Sequence, residues 1–140
     1  MSVSVYLPDS QPGPTSASLA PSPSSLNGLR IGVLDNGKPN AEVVMIRAAE
    51  YLATRTGAIV SVITKKGPLG LSANAAIPLA PDRLELLVAE CDIILTGAAD
   101  CGSCTAYSVH DAIELEKHGK PTVVATTTHF EPVAKTLSTS

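Results

Sequence analysis

The sequence predicts an α/β fold, in which helices cover both faces of a parallel four-stranded sheet to form a three-layer sandwich. From Leu29 onward, short apolar runs rich in β-branched residues alternate with longer segments of helical periodicity. Clusters of Gly, Pro, Asn and Asp separate these segments. The 140 residues suffice for one compact domain, and a second would not fit.

The first half of this domain reads as strand, helix, strand and long loop. The run 29–34 is a buried strand, which ends in the turn 35–40. Asn40 is the expected N-cap of a helix over 41–56, and a second strand follows over 58–63. Residues 65–80 contain two glycines and two prolines and form a loop whose length is often functional.

The second half repeats the alternation. A helix over 81–90 is followed by a strand over 92–96, a helix from about 103 to 118, a strand over 121–126 and the start of a helix at 131–137. Right-handed crossovers then give the strand order 2-1-3-4, a Rossmann-like or flavodoxin-like arrangement. The order reverses between strands one and three, so the loops 35–40 and 97–104 should flank one crevice.

Residues 1–28 precede this domain, which spans 29–140, and have a different composition. They hold five of the eleven prolines and many serines, a mixture typical of extended chain. Two interpretations stay open for this arm, a disordered tail or a segment that wraps a partner subunit.

Composition excludes several classes of function. Hydrophobic residues make up 44% and charged residues 16%, which favours a well-buried sheet. One Phe, three Tyr, no Trp and a net charge of −3 argue against a nucleic-acid partner. No apolar run reaches a membrane span and no secretory signal begins the chain, so we expect a cytoplasmic protein with reduced cysteines.

The pair Cys101 and Cys104 is the expected centre of the chemistry. A CxxC at the start of a helix places the first sulfur where free amides and the helix dipole stabilise a thiolate. Cys101 would therefore attack, and Cys104, one turn later, would resolve the adduct. Ser103 keeps the turn compact, and Thr105 could donate a hydrogen bond within it.

Three other interpretations of this pair stay open. A zinc site would need four ligands, and the chain offers one CxxC, Cys91 and three scattered histidines. The pair could be buried and inert. Asp100 could disfavour a thiolate on Cys101 by like-charge repulsion, or could act as a proton acceptor or orient the substrate. Cys91 itself lies among apolar residues and reads as part of the core.

Two residues of the loop after strand one are candidates for the same crevice. Asp35, at the end of a buried strand, must find a partner or a ligand. Lys38 could pair with a carboxylate or phosphate of a substrate, although an ordinary solvated lysine is an equal interpretation.

The helix after the CxxC and the end of strand four supply the other candidates. Ser108 and Asp111 share the Cys104 face of the helix, whereas His110 lies about 240° around from it. His129 follows strand four and is the better candidate for a general acid or base. Thr126 and Thr127 should face the same crevice.

No cofactor or metal is expected. The chain has neither a GxGxxG fingerprint nor a P-loop, so neither a dinucleotide nor a nucleoside triphosphate is indicated. Reducing equivalents would come from an external thiol or a protein partner.

The sequence resembles the UGSC family, named for a selenocysteine-Gly-Ser-Cys motif. The resemblance rests on Leu34-Asp-Asn-Gly-Lys-Pro-Asn-Ala41, then Thr96-Gly-Ala-Ala-Asp-Cys-Gly-Ser-Cys-Thr105, then Ser108-Val-His-Asp-Ala112. It implies that Cys101 stands where relatives carry selenocysteine. B-type subunits of glycine and related reductases have a similar arrangement, in which the chalcogen attacks a substrate carbon and a thiol resolves it. The resemblance also implies that Asp35, Asn36, Lys38 and Asn40 line the crevice.

One departure from the family shapes the expected partners. Family members usually continue for another helix and more, whereas this chain ends at Ser140 within its last helix. A sheet face would then be uncovered, and exposed apolar area of that kind marks an interface. We expect a second, related or complementary polypeptide to complete the fold and the site.

Three functions are therefore open. The leading one is a thiol-dependent enzyme, an oxidoreductase or reductase-like protein, in which Cys101 attacks a small electrophile or a disulfide and Cys104 resolves the adduct. The second is non-redox covalent catalysis by Cys101, as in an addition, elimination or lyase step. The third is a redox-sensing subunit without catalytic activity.

Overall fold

Four strands and four helices alternate along the chain in a computed structural model that describes residues 18–67 and 75–139. The elements are β1 Arg30–Asp35, α1 Ala41–Thr56, β2 Ile59–Lys65, α2 Pro81–Glu90, β3 Ile93–Ala99, α3 Gly102–Lys117, β4 Thr122–Thr126 and α4 Glu131–Ser138. All neighbouring strands are parallel, in the order β2-β1-β3-β4. The predicted α/β class, strand number and strand order are confirmed.

Two hydrophobic clusters lie on opposite faces of the sheet, because successive strand residues point to opposite sides. On one face α1 packs on β1 and β3, and the buried members are Ile31, Val33, Met45, Ala49, Ala58 and Leu95. On the other face α2 and α3 pack on the same strands, through Leu34, Leu87, Cys91, Ile94 and Leu115. Helix α4 contacts α3 and has no buried residue.

Strand β3 extends three residues beyond its predicted end at 96. Ala99 pairs with Thr126 of β4 after a shift in register, and the strand therefore reaches almost to the cysteine motif. Gly97 is required in this extension. Its φ is +128°, and a Cβ there would collide with the carbonyl oxygen of Ala125. Helix α3 then starts at Gly102, one residue earlier than predicted.

The last residues of the predicted arm lie against the domain. Ala20 is buried, and its N–H donates to Glu116 Oε2 at 2.5 Å. Leu26 packs against the core on the α1 side, and Gly28 N–H donates to Gly57 O at 2.9 Å. Residues 1–17 of the arm and 68–74 of the predicted long loop lie outside the described residues.

No helix within residues 18–67 and 75–139 is both long enough and apolar enough to cross a membrane.

Candidate active site

The cysteine pair stands between the end of β3 and the start of α3. Cys101 is the N-cap of α3, in an extended conformation (φ −146°, ψ 166°). Its Sγ accepts the N–H of Cys104 at 3.3 Å, and its own N–H donates to Cys104 Sγ at 3.0 Å. The two sulfurs thus form a reciprocal capping box, with sulfur in place of the usual oxygen. Both are held over the helix end whose free amides favour negative charge.

The structure pairs Cys101 and Cys104 as a disulfide. Their Cα atoms are 5.5 Å apart, a usual separation for a disulfide, so the backbone need not move for the bond to form or open. The two sulfurs differ in accessibility. Cys104 is 0% exposed, whereas Cys101 is partly exposed and the space beside Gly102 is open. A molecule from solvent can therefore reach Cys101 first.

A lysine and a carboxylate lie beside the pair. Lys38 Nζ is 3.0 Å from Asp100 Oδ1, and the same oxygen is 3.7 Å from Cys104 Sγ. Ser103 Oγ lies 3.7 Å from Cys101 Sγ. The positive charge of Lys38 offsets the repulsion that Asp100 would exert on a thiolate. Asp100 is also close enough to receive a proton from the Cys104 thiol.

The loop after β1 contacts the end of β3 through Asn36 and the loop after β3 through Lys38, as the strand order predicts. Asn36 is buried; its Nδ2 donates to Ala98 O at 3.2 Å, and its Oδ1 accepts the N–H of Lys38 at 3.0 Å. Asp35 is also buried, and its Oδ1 accepts the N–H of Gly37 at 3.0 Å. The hydrogen bonds of these two side chains therefore fix the conformation of the loop, and this conformation places Lys38 beside Asp100.

Burial governs the electrostatics of Asp35. It raises the pKa of this carboxyl, and the Gly37 N–H and the positive charge of Lys65 oppose the rise. Lys65 Nζ is 3.7 Å from Asp35 Oδ2 and 3.2 Å from Glu42 Oε2. Asn40 starts α1 in a left-handed conformation (φ 65°), and its side chain makes no capping hydrogen bond. It therefore occupies the predicted cap position.

Comparison with protein families decides the affiliation. The family model for the UGSC family matches residues 4–140. The chain belongs to the UGSC family. No curated protein and no solved structure matches it. Because the family name states no reaction, the function of this UGSC protein has to be argued from its own site.

The inner face of α3 carries polar groups deeper into the UGSC domain. Cys104, Ser108 and Asp111 are all buried, in agreement with their predicted common face. Ser108 Oγ has no hydrogen-bond partner within the described residues. Asp111 Oδ1 accepts the N–H of Leu79 at 2.8 Å, and Oδ2 is 2.6 Å from Lys66 Nζ. Asp111 therefore contacts both Lys66 and Leu79.

Lys66 is a buried charged residue that the sequence analysis missed. Its side chain is 0% exposed, and Nζ lies 5.6 Å from the ring centre of Tyr107. Burial raises the pKa of Asp111 although the Lys66 ion pair opposes the rise. No local signal marks Lys66: it directly follows the last residue of β2, and its partner Asp111 lies 45 residues later in the chain.

Three threonines connect β4 to the end of β3 and the start of α3. Thr126 Oγ1 donates to Ala99 O at 3.0 Å, and Thr127 N–H donates to the same carbonyl at 2.9 Å. Thr105 is buried, with Oγ1 3.3 Å from Thr126 Oγ1, rather than bonded within its own turn. These three residues fix the position of the cysteine loop from behind.

The two candidate histidines are exposed, and each makes an edge-to-face contact with an aromatic neighbour. The ring centroids are 6.4 Å apart for His110 and Tyr107 and 5.1 Å apart for His129 and Phe130. Neither ring belongs to the cluster of Asp100, Cys101 and Cys104. The structure brings Lys38 and Asp100 to the cysteines, and it leaves both histidines outside that cluster.

Proposed function

We propose that this UGSC protein is a thiol-dependent enzyme, in which Cys101 attacks a small electrophilic substrate or a disulfide and Cys104 resolves the adduct. The observation that carries the proposal is the asymmetry of the pair. Cys101 is partly exposed beside open space, and Cys104 is fully buried behind it at the same helix end. This arrangement suits an attacking sulfur in front and a resolving sulfur within reach.

In the first step the Cys101 thiolate forms a bond to the electrophilic atom of the substrate. With a disulfide substrate, one substrate sulfur leaves as a thiolate with the electron pair of the broken S–S bond. With an activated carbon, a C–S bond forms and the leaving group takes the electron pair. The N–H of Cys104 and the helix dipole stabilise the thiolate before attack.

In the second step Cys104 attacks Cys101 Sγ. Its thiol proton passes to Asp100, whose Oδ1 lies 3.7 Å from Cys104 Sγ. The substrate fragment leaves with the electron pair of its bond to Cys101, as a thiolate or as a carbanion that its activating group stabilises and that then takes up a proton, and a Cys101–Cys104 disulfide forms. The substrate has gained two electrons and the protein has lost two. An external thiol or a protein dithiol then reduces the disulfide and completes the cycle.

Trapping the adduct tests the proposal. The reduced protein is mixed with a panel of small disulfides and alkylating carbon electrophiles, and intact mass is followed over time. Cys104→Ser should accumulate a covalent adduct on Cys101, because the resolving thiol is absent. Cys101→Ser should form no adduct and show no turnover. Cys91→Ala is the matched control and should behave as wild type, because burial raises the pKa of Cys91 to about 11.

Three results would contradict the proposal. Full activity of Cys101→Ser would remove the assigned nucleophile. Turnover of the wild-type protein without consumption of any reductant would favour non-redox covalent catalysis instead. A pair that cycles under oxidant but turns over no substrate would point to a sensor.

We also propose a second polypeptide as partner, and a reducing compartment such as the cytoplasm as the setting. Apolar side chains at the surface support the partner: Val123 of β4 is 53% exposed, and Val44 and Tyr51 of α1 are exposed as well. Light scattering after size exclusion tests this point. A soluble monomer with full activity when expressed alone would exclude an obligate partner.

A further inference from the structure

Three potential metal ligands come together at the cysteine loop. A carboxylate oxygen of Asp100 and the Sγ atoms of Cys101 and Cys104 all lie within 4.8 Å of one another. Within residues 18–67 and 75–139, this is the one group of three or more His, Cys, Asp or Glu side chains with such proximity. The sequence had argued against a metal because one CxxC supplies two ligands. The structure adds the third.

We infer that the reduced site binds Zn²⁺ through two thiolates and one carboxylate, with a fourth position open to water. Thiolates and carboxylates are both zinc ligands, and three protein ligands plus one open position is an established pattern. With Zn–S bonds of ~2.3 Å and Zn–O bonds of ~2.0 Å, a sulfur and an oxygen that bind the same tetrahedral zinc lie about 3.5 Å apart. Cys104 Sγ and Asp100 Oδ1 are already 3.7 Å apart.

The surroundings orient the ligands and leave room for an ion. Lys38 Nζ, 3.0 Å from Asp100 Oδ1, fixes the orientation of the carboxylate, as outer partners of metal ligands do, although its positive charge lowers the affinity for a second cation. Cys104 is buried, so one side of the site is dry, and the open space beside Gly102 provides entry and room for the fourth ligand. The 5.5 Å Cα separation allows the sulfurs to part after reduction without a change in the helix.

Zinc and the disulfide exclude each other, because a disulfide offers no thiolate. An organic disulfide would oxidise the zinc-bound pair: the protein disulfide forms, two small thiolates leave and Zn²⁺ is released. Electrons balance, since the two cysteine sulfurs lose the two electrons that the organic disulfide gains. The bound ion therefore keeps both thiolates from reacting as nucleophiles, and oxidation of the pair releases the ion. This inference rests on the reducible pair and does not require the proposed catalysis.

Metal titration tests the inference. The full chain is reduced with a phosphine, which does not compete as a thiol would, and titrated with Zn²⁺ in calorimetry and with Cd²⁺ in ultraviolet absorbance. We expect one ion per chain and a cadmium–thiolate charge-transfer band. Cys101→Ser should abolish the band, and Asp100→Asn should weaken Zn²⁺ affinity by about tenfold or more, at least the loss seen for outer-shell changes. Cys91→Ala should match wild type.

Oxidised wild-type protein should bind no metal, and renewed reduction should restore binding. The inference fails if reduced wild type binds no Zn²⁺, or if Cys101→Ser binds as tightly as wild type. Unchanged affinity in Asp100→Asn would also overturn it, because the third ligand would then be absent. Circular dichroism of each variant confirms that it is folded. Zinc binding without adduct formation, or the reverse, separates this inference from the proposed function.

Discussion

Replacing Lys66 by Met is the sharpest test of the buried ion pair beneath the cysteine helix. Methionine fills a similar unbranched volume but leaves Asp111 buried without its counter-charge. Removing one partner of a buried pair costs about 3–5 kcal/mol. A domain of this size has a free energy of unfolding of about 5–15 kcal/mol. Lys66→Met should therefore lose about a fifth or more of it near pH 8.

The loss should depend on pH in a defined direction. Burial already raises the pKa of Asp111 with Lys66 present, and removal of Lys66 raises it further. When the pKa of a carboxyl is higher in the folded than in the unfolded protein, the group stabilises the fold below its unfolded pKa of about 3.9. This stabilisation is lost as the pH rises through the folded pKa. The deficit of Lys66→Met should thus be small at about pH 4 and full near pH 8.

Urea unfolding followed by circular dichroism at both pH values measures this. Lys117→Met is the matched control: Lys117 and its partner Glu114 are both about half exposed and their ion pair is screened by water, so stability should change little. Lys66→Met combined with Asp111→Leu should recover most of the loss, because no uncompensated charge remains. A deficit below about 1 kcal/mol, or one that is equal at the two pH values, would refute the argument.

Two further substitutions test how the strands are joined. Asp92→Asn should lower stability by about 1 kcal/mol at neutral pH, because Asp92 accepts from the Arg30 side chain at 3.1 and 3.0 Å on a partly exposed surface. Arg30 lowers the pKa of Asp92, so denaturant titrations should show the difference vanishing as the pH falls below about 3.8. Gly32→Ala should cost about 1–3 kcal/mol, since its Cβ would lie 2.6 Å from Cys91 Sγ. Adding Cys91→Ala should return part of that loss, and equal melting temperatures for the single and double variants would contradict the packing.

The fold could be predicted because local signals and topology agree. The apolar runs of β1 and β3 lie between clear turn residues, and parallel strands with right-handed crossovers leave few possible orders. The ends of elements were less certain. Strand β3 continues to Ala99 because Thr126 of β4 pairs with it, and that partner lies 27 residues away in sequence. Periodicity within one segment carries no information about such pairing.

The site was predicted in part for the same reason. The spacing of Cys101 and Cys104 is local and places both at a helix start. Lys66 was missed because its burial depends on Asp111, 45 residues later, and an isolated lysine reads as solvated. Asn36 was expected to line the crevice, and its amide bonds its own loop and Ala98. Short polar side chains after a strand often turn back on the backbone, and sequence alone does not show which do.

The difference between the two cysteines follows from their positions in the helix rather than from their chemistry. The N-cap residue stands outside the helical turn and keeps solvent contact, whereas the third residue of the helix is buried, as Ser108 and Asp111 are. If the two roles were exchanged, the buried sulfur of Cys104 would have to attack a substrate that cannot reach it from solvent. Attack by Cys101, resolution by Cys104 and metal capture by both therefore share one prediction: alkylation of the reduced protein should label Cys101 first, and Zn²⁺ should protect it.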